Sequence, residues 1–357
     1  PCLRASLYLA PMSHAPIHLP ADHTPVTIGK TGLLLVNLGT PDGTDAGSVR
    51  RYLAEFLSDK RVVDYPRALW YPILYGIILN VRPAKTGRNY AKIWRTESDE
   101  SPLRYYTRQQ AELLAARNTS DSLIIDWAMR YGNPSIQARL EALRAQGCDR
   151  IVIFPLYPQY SATTTGTVND RVFKVLQEIS WQPAIRTVPP FHDHAGYIDA
   201  LANSIDASFE REGKPDQIIL SFHGLPERYL RKKGDPYHCH CQKTARLLRE
   251  KMGWDETFAP LGFQSIFGRE KWLGPSTESL IEKAAHDGIK HVSVVTPGFV
   301  ADCIETLEEV GIGLREMFEE EGGEKLTLVP CLNDSAEMID LLEDIARRET
   351  AGWVTSS

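Results

Sequence analysis

Short apolar runs punctuated by glycine recur along the chain, and the stretches between them carry apolar residues at three- and four-residue spacing. The runs predict strands near 33–38, 124–129 and 151–156 in the first half, and near 217–222, 258–263, 291–296 and 326–331 in the second. Two pairs of segments match without gaps. "LLLVNLGTP" (33–41) overlays "IILSFHGLP" (218–226), with Gly39 on Gly224 and Pro41 on Pro226. "NPSIQARLEALRAQGCDRIVIF" (133–154) overlays "GPSTESLIEKAAHDGIKHVSVV" (274–295), with Pro134 on Pro275, Ser135 on Ser276 and Gly147 on Gly288. Each long copy reads as a Pro-Ser helix start, an amphipathic helix, a glycine stop and a β-branched strand. Helix followed by strand is the repeating unit of a parallel α/β sheet. Two matches in the same order make a duplicated α/β domain the better reading.

The expected fold class is therefore α/β, with two similar doubly wound domains built on parallel sheets. The first is expected over 31–178 with a returning helix at 335–350, and the second over 179–334. In open parallel sheets ligands bind beyond the carboxyl ends of the strands, so the cleft between the two lobes is the candidate site.

A length of 357 residues suits two domains, and the formal net charge of −6 argues against a nucleic-acid surface. No apolar run reaches membrane-spanning length. Six cysteines are scattered, without the density of a secreted disulfide scaffold, and a cytoplasmic location is the expectation. Residues 1–30 are Pro-, His- and Ala-rich and read as a disordered N-terminal extension, those before Met12 as an upstream one. They lack the basic flank and apolar run of a secretory signal.

His223 occupies the place of Leu38 in the first copy, so the backbone there does not require a histidine. One reading is a strand-end histidine satisfied by a neighbouring carbonyl. The other comes from "TPGFVADCIETLEEVG" (296–311). The overlay carries Asp302 onto Ser161, Cys303 onto Ala162 and Glu305 onto Thr164, so the second copy is acidic where the first is hydroxylated. On an α-helix Asp302, Glu305 and Glu309 fall within about 60° of one another. Such a stripe is tolerable at a solvated helix N-terminus. It also starts at the carboxyl end of a predicted strand, on the same sheet edge as His223. A histidine facing carboxylates suits proton transfer or a divalent metal, and the Cys/His spacing does not suit a closed zinc site.

The segments "VNLGTPDG", "YPQYSATTTG", "SFHGLPERYLRKKGDPY", "WLGPSTE" and "GFVADCIETLEE", in that order, resemble the ferrochelatases over about residues 30–349. The resemblance implies two Rossmann-like lobes and insertion of ferrous iron into protoporphyrin IX, with Fe(II) as substrate metal. It implies His223 and Glu305 as the catalytic and metal-binding pair, with Asp302 and Glu309 as a relay for protons or iron. Some members carry a second histidine two residues before the glutamate, where this chain has Cys303; that thiol reads either as a soft iron ligand or as a small packing residue. "YPRALWYPILYGIILNVRP" (65–83) is apolar on all sides and broken by Pro66, Pro72 and Pro83. It reads as a buried helix or as an exposed apolar lip, and the resemblance implies the lip. Leu69, Trp70, Ile73 and Leu74 are then expected to face the cleft or a membrane. The resemblance places Arg95 and Ser101 at the porphyrin propionates, which arginine holds bidentately. Arg130, Trp272 and Leu38 are further substrate-binding candidates.

Certain ferrochelatases hold a 2Fe–2S cluster. Four cysteine ligands would have to be Cys148, Cys239, Cys241 and Cys331, and the topology argues against that set, because Cys148 precedes its strand while Cys331 ends one. Other readings are a coproporphyrin ferrochelatase, a cobalt or nickel tetrapyrrole chelatase, and a two-lobed protein that binds metal or heme without chemistry. The apolar lip favours protoporphyrin, and the oligomeric state is open.

Overall fold

A computed structural model describes residues 27–354 other than 269; the N-terminal extension expected over 1–30 lies almost wholly outside them. Eight strands form two four-stranded parallel sheets. They are β1 (Lys30–Gly39), β2 (Leu123–Tyr131), β3 (Cys148–Pro155), β4 (Ala184–Thr187), β5 (Gln217–His223), β6 (Leu261–Gln264), β7 (His291–Val295) and β8 (Lys325–Leu328). The strand orders are β2-β1-β3-β4 and β6-β5-β7-β8, the same topology twice. The repeat is visible down to its caps. Ser135 and Ser276 each cap the helix that follows, accepting from the amides of Ala138 and Ser279. The preceding prolines accept from strand amides, Met129 N to Pro134 O at 2.7 Å and Phe263 N to Pro275 O at 2.9 Å.

β4 pairs with β3, Arg150 opposite Ala184 through Ile153 opposite Thr187, so the first sheet extends past the boundary expected at 178. Four half-exposed residues between a Pro-containing turn and "VPP" carry too little pattern to be read as a strand. The second strand of the second half also begins later than expected, at Leu261 rather than 258.

Leu33, Leu34, Leu35 and Val36 of β1 are fully buried, as both faces of a helix-covered parallel sheet require. Their full burial stabilises the fold by roughly 1.5–3 kcal/mol per side chain. The largest core cluster joins Leu33 and Phe154 of the first sheet to Leu220 of the second, through Tyr197 and Leu201 of helix Ala195–Glu212 and Leu342 of helix Ala336–Glu349. The last helix packs on both helix Pro102–Arg117 and helix Ala195–Glu212. The two lobes thus share one continuous interior.

Two segments depart from the expected helices. The lip is nearly continuous helix: α-helix over Arg67–Ile73, π-helix over Leu74–Ile78, then α-helix over Leu79–Ile93. Pro72 and Pro83 lie inside it instead of ending it. Carbonyls left without helical partners find side chains. Asn80 Nδ2 donates to Tyr75 O and Gly76 O, and Arg50 Nε donates to Leu79 O, which Pro83 cannot satisfy. The acidic segment is likewise not an α-helix from 296. Residues 297–303 are irregular, and a π-helix runs over Glu305–Leu314.

Candidate active site

The site assembles where the carboxyl ends of β5 and β6 meet the first turn of the π-helix. His223 is the last residue of β5, directly opposite Gln264. Its Nδ1 lies 2.7 Å from Gly224 O. A carbonyl only accepts, so Nδ1 carries the proton and Nε2 keeps its lone pair. The neighbouring-carbonyl contact therefore sets the tautomer instead of exhausting the ring. Gly224 is needed for the close approach that follows: a Cβ there would stand 2.8 Å from Gln264 O, which accepts from Gly224 N at 2.7 Å.

Glu305 opens the π-helix. Gln264 Nε2 donates to its main-chain oxygen at 2.8 Å. Its surroundings form a narrow cavity of about 10 Å³, where Leu38, Tyr52, Tyr90 and Ser101 of the first half face Cys303 and Glu305 of the second. Burial raises the phenols of Tyr52 and Tyr90, and the Glu305 charge adds to it. Burial also raises the Cys303 thiol, again with help from Glu305. A thiol held neutral is a poor soft ligand, so Cys303 fits the packing reading.

Glu309, one turn on, accepts from Ser265 N at 2.8 Å and Ser265 Oγ at 2.7 Å. Ser265 adopts φ +59° directly after β6 to make both bonds. Burial raises the Glu309 carboxyl above the ordinary glutamate range and Glu305 adds to the rise, while the Ser265 bonds and His223 oppose it. Among the described residues, no group of three or more His, Cys, Asp or Glu side chains stands ready to hold a metal ion.

Asp302 does not join this row. It lies before the π-helix, 5% exposed, and accepts from Thr306 Oγ1 at 3.0 Å and Asn333 Nδ2 at 2.7 Å. The α-helical stripe expected of Asp302, Glu305 and Glu309 is thereby corrected: the backbone at 302 is irregular, and the Asp302 carboxylate is occupied by its own loop.

Ser101 lines the cavity and also caps helix Pro102–Arg117, accepting from Arg104 N at 3.2 Å. Arg95 is held flat over the Tyr105 ring at 3.7 Å, and its carboxylate contact, Glu97 at 3.9 Å, is loose and exposed. Arg130 is committed elsewhere: Nη2 meets Asp59 Oδ2 at 2.5 Å and Nε donates to Thr167 O at 2.9 Å. That paired arginine is a structural strut, not a free propionate ligand. The Trp272 ring packs over Gly224 and beside Phe267, with its indole N–H buried and unpartnered.

The lip candidates divide. Leu69 and Ile73 are 67% and 45% exposed, and Tyr71, Ile77 and Val81 continue that apolar surface. Trp70 turns inward and donates to Leu57 O at 2.7 Å, while Leu74 is fully buried and belongs to a core cluster with Val49 and Tyr131. The segment thus buries one face and leaves apolar side chains exposed on the next.

The four cluster candidates do not fit a 2Fe–2S centre. Cys239 is exposed and Cys241 buried on the same helix, Tyr237–Met252, two positions apart and so on opposite faces. Cys148 opens β3 and Cys331 follows β8 in the other sheet. Residues that sequence reasoning missed are Gln264, Ser265, Tyr52 and Tyr90. Only the strand order brings Gln264 beside His223, and no local pattern reveals that.

Comparison with known proteins now decides the family. The ferrochelatase family model matches residues 30–350. The chain belongs to the ferrochelatase family. It is 57% identical over 338 residues to the ferrochelatase of Agrobacterium fabrum, covering 94% of this chain and 98% of that one. It is 51% identical over 354 residues to that of Mesorhizobium japonicum, covering 99% and 100%. Among solved structures, SirB from Bacillus subtilis with Fe3+ superposes with a TM-score of 0.54 at 13% identity, over 90% of this chain and 96% of that one. A sirohydrochlorin chelatase SirB from Bacillus subtilis subspecies spizizenii in complex with cobalt gives 0.52 at 10% identity, over 92% and 100%. At such identities the likeness is one of fold. Ferrochelatases are enzymes of heme synthesis, and iron insertion into a porphyrin is this chain's activity as a member.

Proposed function

We propose that iron insertion occurs in the cleft between the two sheets, with His223 and Glu305 as the groups that meet the metal and the pyrrole protons. One observation carries this placement. The strand bearing His223 and the π-helix bearing Glu305 are tied together through Gln264, and Glu305 closes a cavity whose other wall is the first lobe.

The chemistry asks for few groups. Ferrous iron forms four bonds to the macrocycle nitrogens, two pyrrole N–H bonds break, two protons leave, and the iron stays Fe(II). The site needs proton acceptors and transient, borderline-hard ligands, and imidazole and carboxylate supply both. The Nε2 lone pair of His223 accepts a proton or holds iron. Glu305 serves opposite it, and the Glu309 carboxyl, raised by burial, takes up a proton more readily than an ordinary glutamate. With only two such side chains at the front, the metal is passed on and not retained.

The free space there, about 10 Å³, is far below the roughly 300–1,000 Å³ of ordinary small-molecule sites, so a tetrapyrrole enters by displacement of the lip. Arg95 then anchors a propionate, and the exposed Leu69, Ile73, Ile77 and Val81 cover the apolar edge of protoporphyrin or rest on a bilayer surface. No helix among the described residues is long and apolar enough to cross a membrane. The described cysteines are free thiols, which agrees with a cytoplasmic location. The test is metal insertion with protoporphyrin and coproporphyrin against Fe(II), Co(II) and Ni(II). The proposal expects Fe(II) with protoporphyrin to give the highest kcat/KM; preference for coproporphyrin would overturn the substrate assignment.

A further inference from the structure

Three buried polar side chains run in a line beneath the site. Thr277, at the start of helix Thr277–His286, and Ser221 of β5 are fully buried, and Gln264 is 1% exposed. Ser221 Oγ donates to Gln264 Oε1 at 2.7 Å, and Thr277 Oγ1 lies 2.7 Å from Ser221 Oγ. Since the Ser221 proton goes to Gln264, the Thr277 hydroxyl must donate to Ser221. Gln264 Nε2 then donates to Glu305 O. Every hydrogen bond has its direction fixed, and the line runs from the start of helix Thr277–His286 to the first residue of the π-helix.

We infer that Gln264 is a positioning residue for iron insertion, setting the separation of His223 and Glu305 by clamping both of their main chains. Its carbonyl accepts from Gly224 N, immediately after His223, and its side-chain amide holds the carbonyl of Glu305. No other described side chain hydrogen-bonds that carbonyl. The cost of a buried, half-satisfied amide is avoided because Ser221 occupies the acceptor end, itself held by Thr277. This inference rests on the His223–Glu305 reading above, and it extends the active machinery to a residue that touches neither iron nor porphyrin.

The test is steady-state iron insertion by Gln264→Met and Ser221→Ala, with porphyrin affinity and melting temperature measured alongside. Gln264→Met keeps an unbranched side chain of similar length and removes both side-chain hydrogen bonds, with Ser221 and with Glu305 O, while the main-chain bond from Gly224 N stays. It should lower kcat by about tenfold or more, since a displacement on the order of 1 Å can cost up to about 10²-fold, with porphyrin KM unchanged within twofold. Ser221→Ala leaves the clamp on Glu305 in place and should keep kcat within threefold. If Gln264→Met does not fold, Gln264→Glu carries the test, because it keeps the shape and the Ser221 bond and sets an oxygen against Glu305 O. A kcat within twofold of wild type for the folded Gln264 variant, or equal losses in kcat and porphyrin affinity, would overturn the positioning role. His223→Ala separates the two claims. An inactive His223→Ala beside an active Gln264 variant rejects only the clamp, whereas an active His223→Ala rejects the underlying pair.

Discussion

Asp302→Ala distinguishes a structural acid from a relay. The Asp302 carboxylate is almost fully buried and receives hydrogen bonds from Thr306 Oγ1 and Asn333 Nδ2, at 3.0 and 2.7 Å. One donor lies in the π-helix and the other after β8. Removing the carboxylate takes this acceptor from both. A buried donor left unsatisfied costs about 1–3 kcal/mol, so the pair sets a range of about 2–6 kcal/mol. Thr306 has an escape, since its hydroxyl also lies 3.2 Å from Cys303 O. That places the expected loss in the lower half, at about 2–4 kcal/mol. A chain of 357 residues has an unfolding entropy near 0.75 kcal/mol/K, so the melting temperature should fall by about 3–5 °C. Asn333 N also bonds Val300 O, so the neighbouring turn should persist and turnover of the folded protein at 20 °C should stay within a fewfold of wild type. Calorimetry and iron insertion on the same preparation make the check. An unchanged melting temperature with turnover reduced by orders of magnitude would refute the reasoning and restore Asp302 to a proton or iron path.

Two further outcomes follow from burial and charge. Leu69→Ser and Ile73→Ser should shift stability by no more than about 0.5 kcal/mol while weakening porphyrin or lipid binding; Leu74→Ala, in the core cluster below, should cost about 2–5 kcal/mol in thermal or denaturant unfolding. The raised Glu309 carboxyl contributes stability that is present in full below the unfolded glutamate value of about 4.3 and lost as pH rises through the folded one. Glu309→Gln should therefore gain melting temperature relative to wild type as pH climbs from about 4.3, then level off, and should slow turnover less than Glu305→Gln; a difference that is flat or shrinks with pH would contradict the burial argument.

Much of this architecture is legible in the linear pattern because the two halves repeat it. Pro134/Pro275 and Ser135/Ser276 announce the same helix start twice, and the paired glycines mark the same turn, so the shared topology follows from short-range chemistry. The exceptions are the places where local chemistry is overruled. β4 has four residues and no apolar run of its own, and only its pairing with β3 makes it a strand. The π-helices leave no clear periodic trace, and Pro83 argues locally for a break whose freed carbonyl, Leu79 O, is met by Arg50 from another helix. In the site, His223 stands out because its repeat partner is Leu38, and Glu305 because its partner is Thr164. Arg130 looks equally available in sequence, but Asp59, far away along the chain, claims it. Gln264 is invisible for the converse reason: its meaning comes wholly from lying opposite His223 in the sheet.

The most direct test of the account is anaerobic Fe(II) insertion by wild type, His223→Ala and Glu305→Gln, with porphyrin binding measured separately on each. Leu38 and Thr164 at the matching places show that this backbone accepts other side chains there, so both variants should fold and bind porphyrin within a fewfold of wild type. Loss of a general-base group commonly costs about 10²–10⁴-fold, and the account predicts a loss of that size in turnover for each. Turnover near the wild-type rate in either variant, with porphyrin bound, would contradict it.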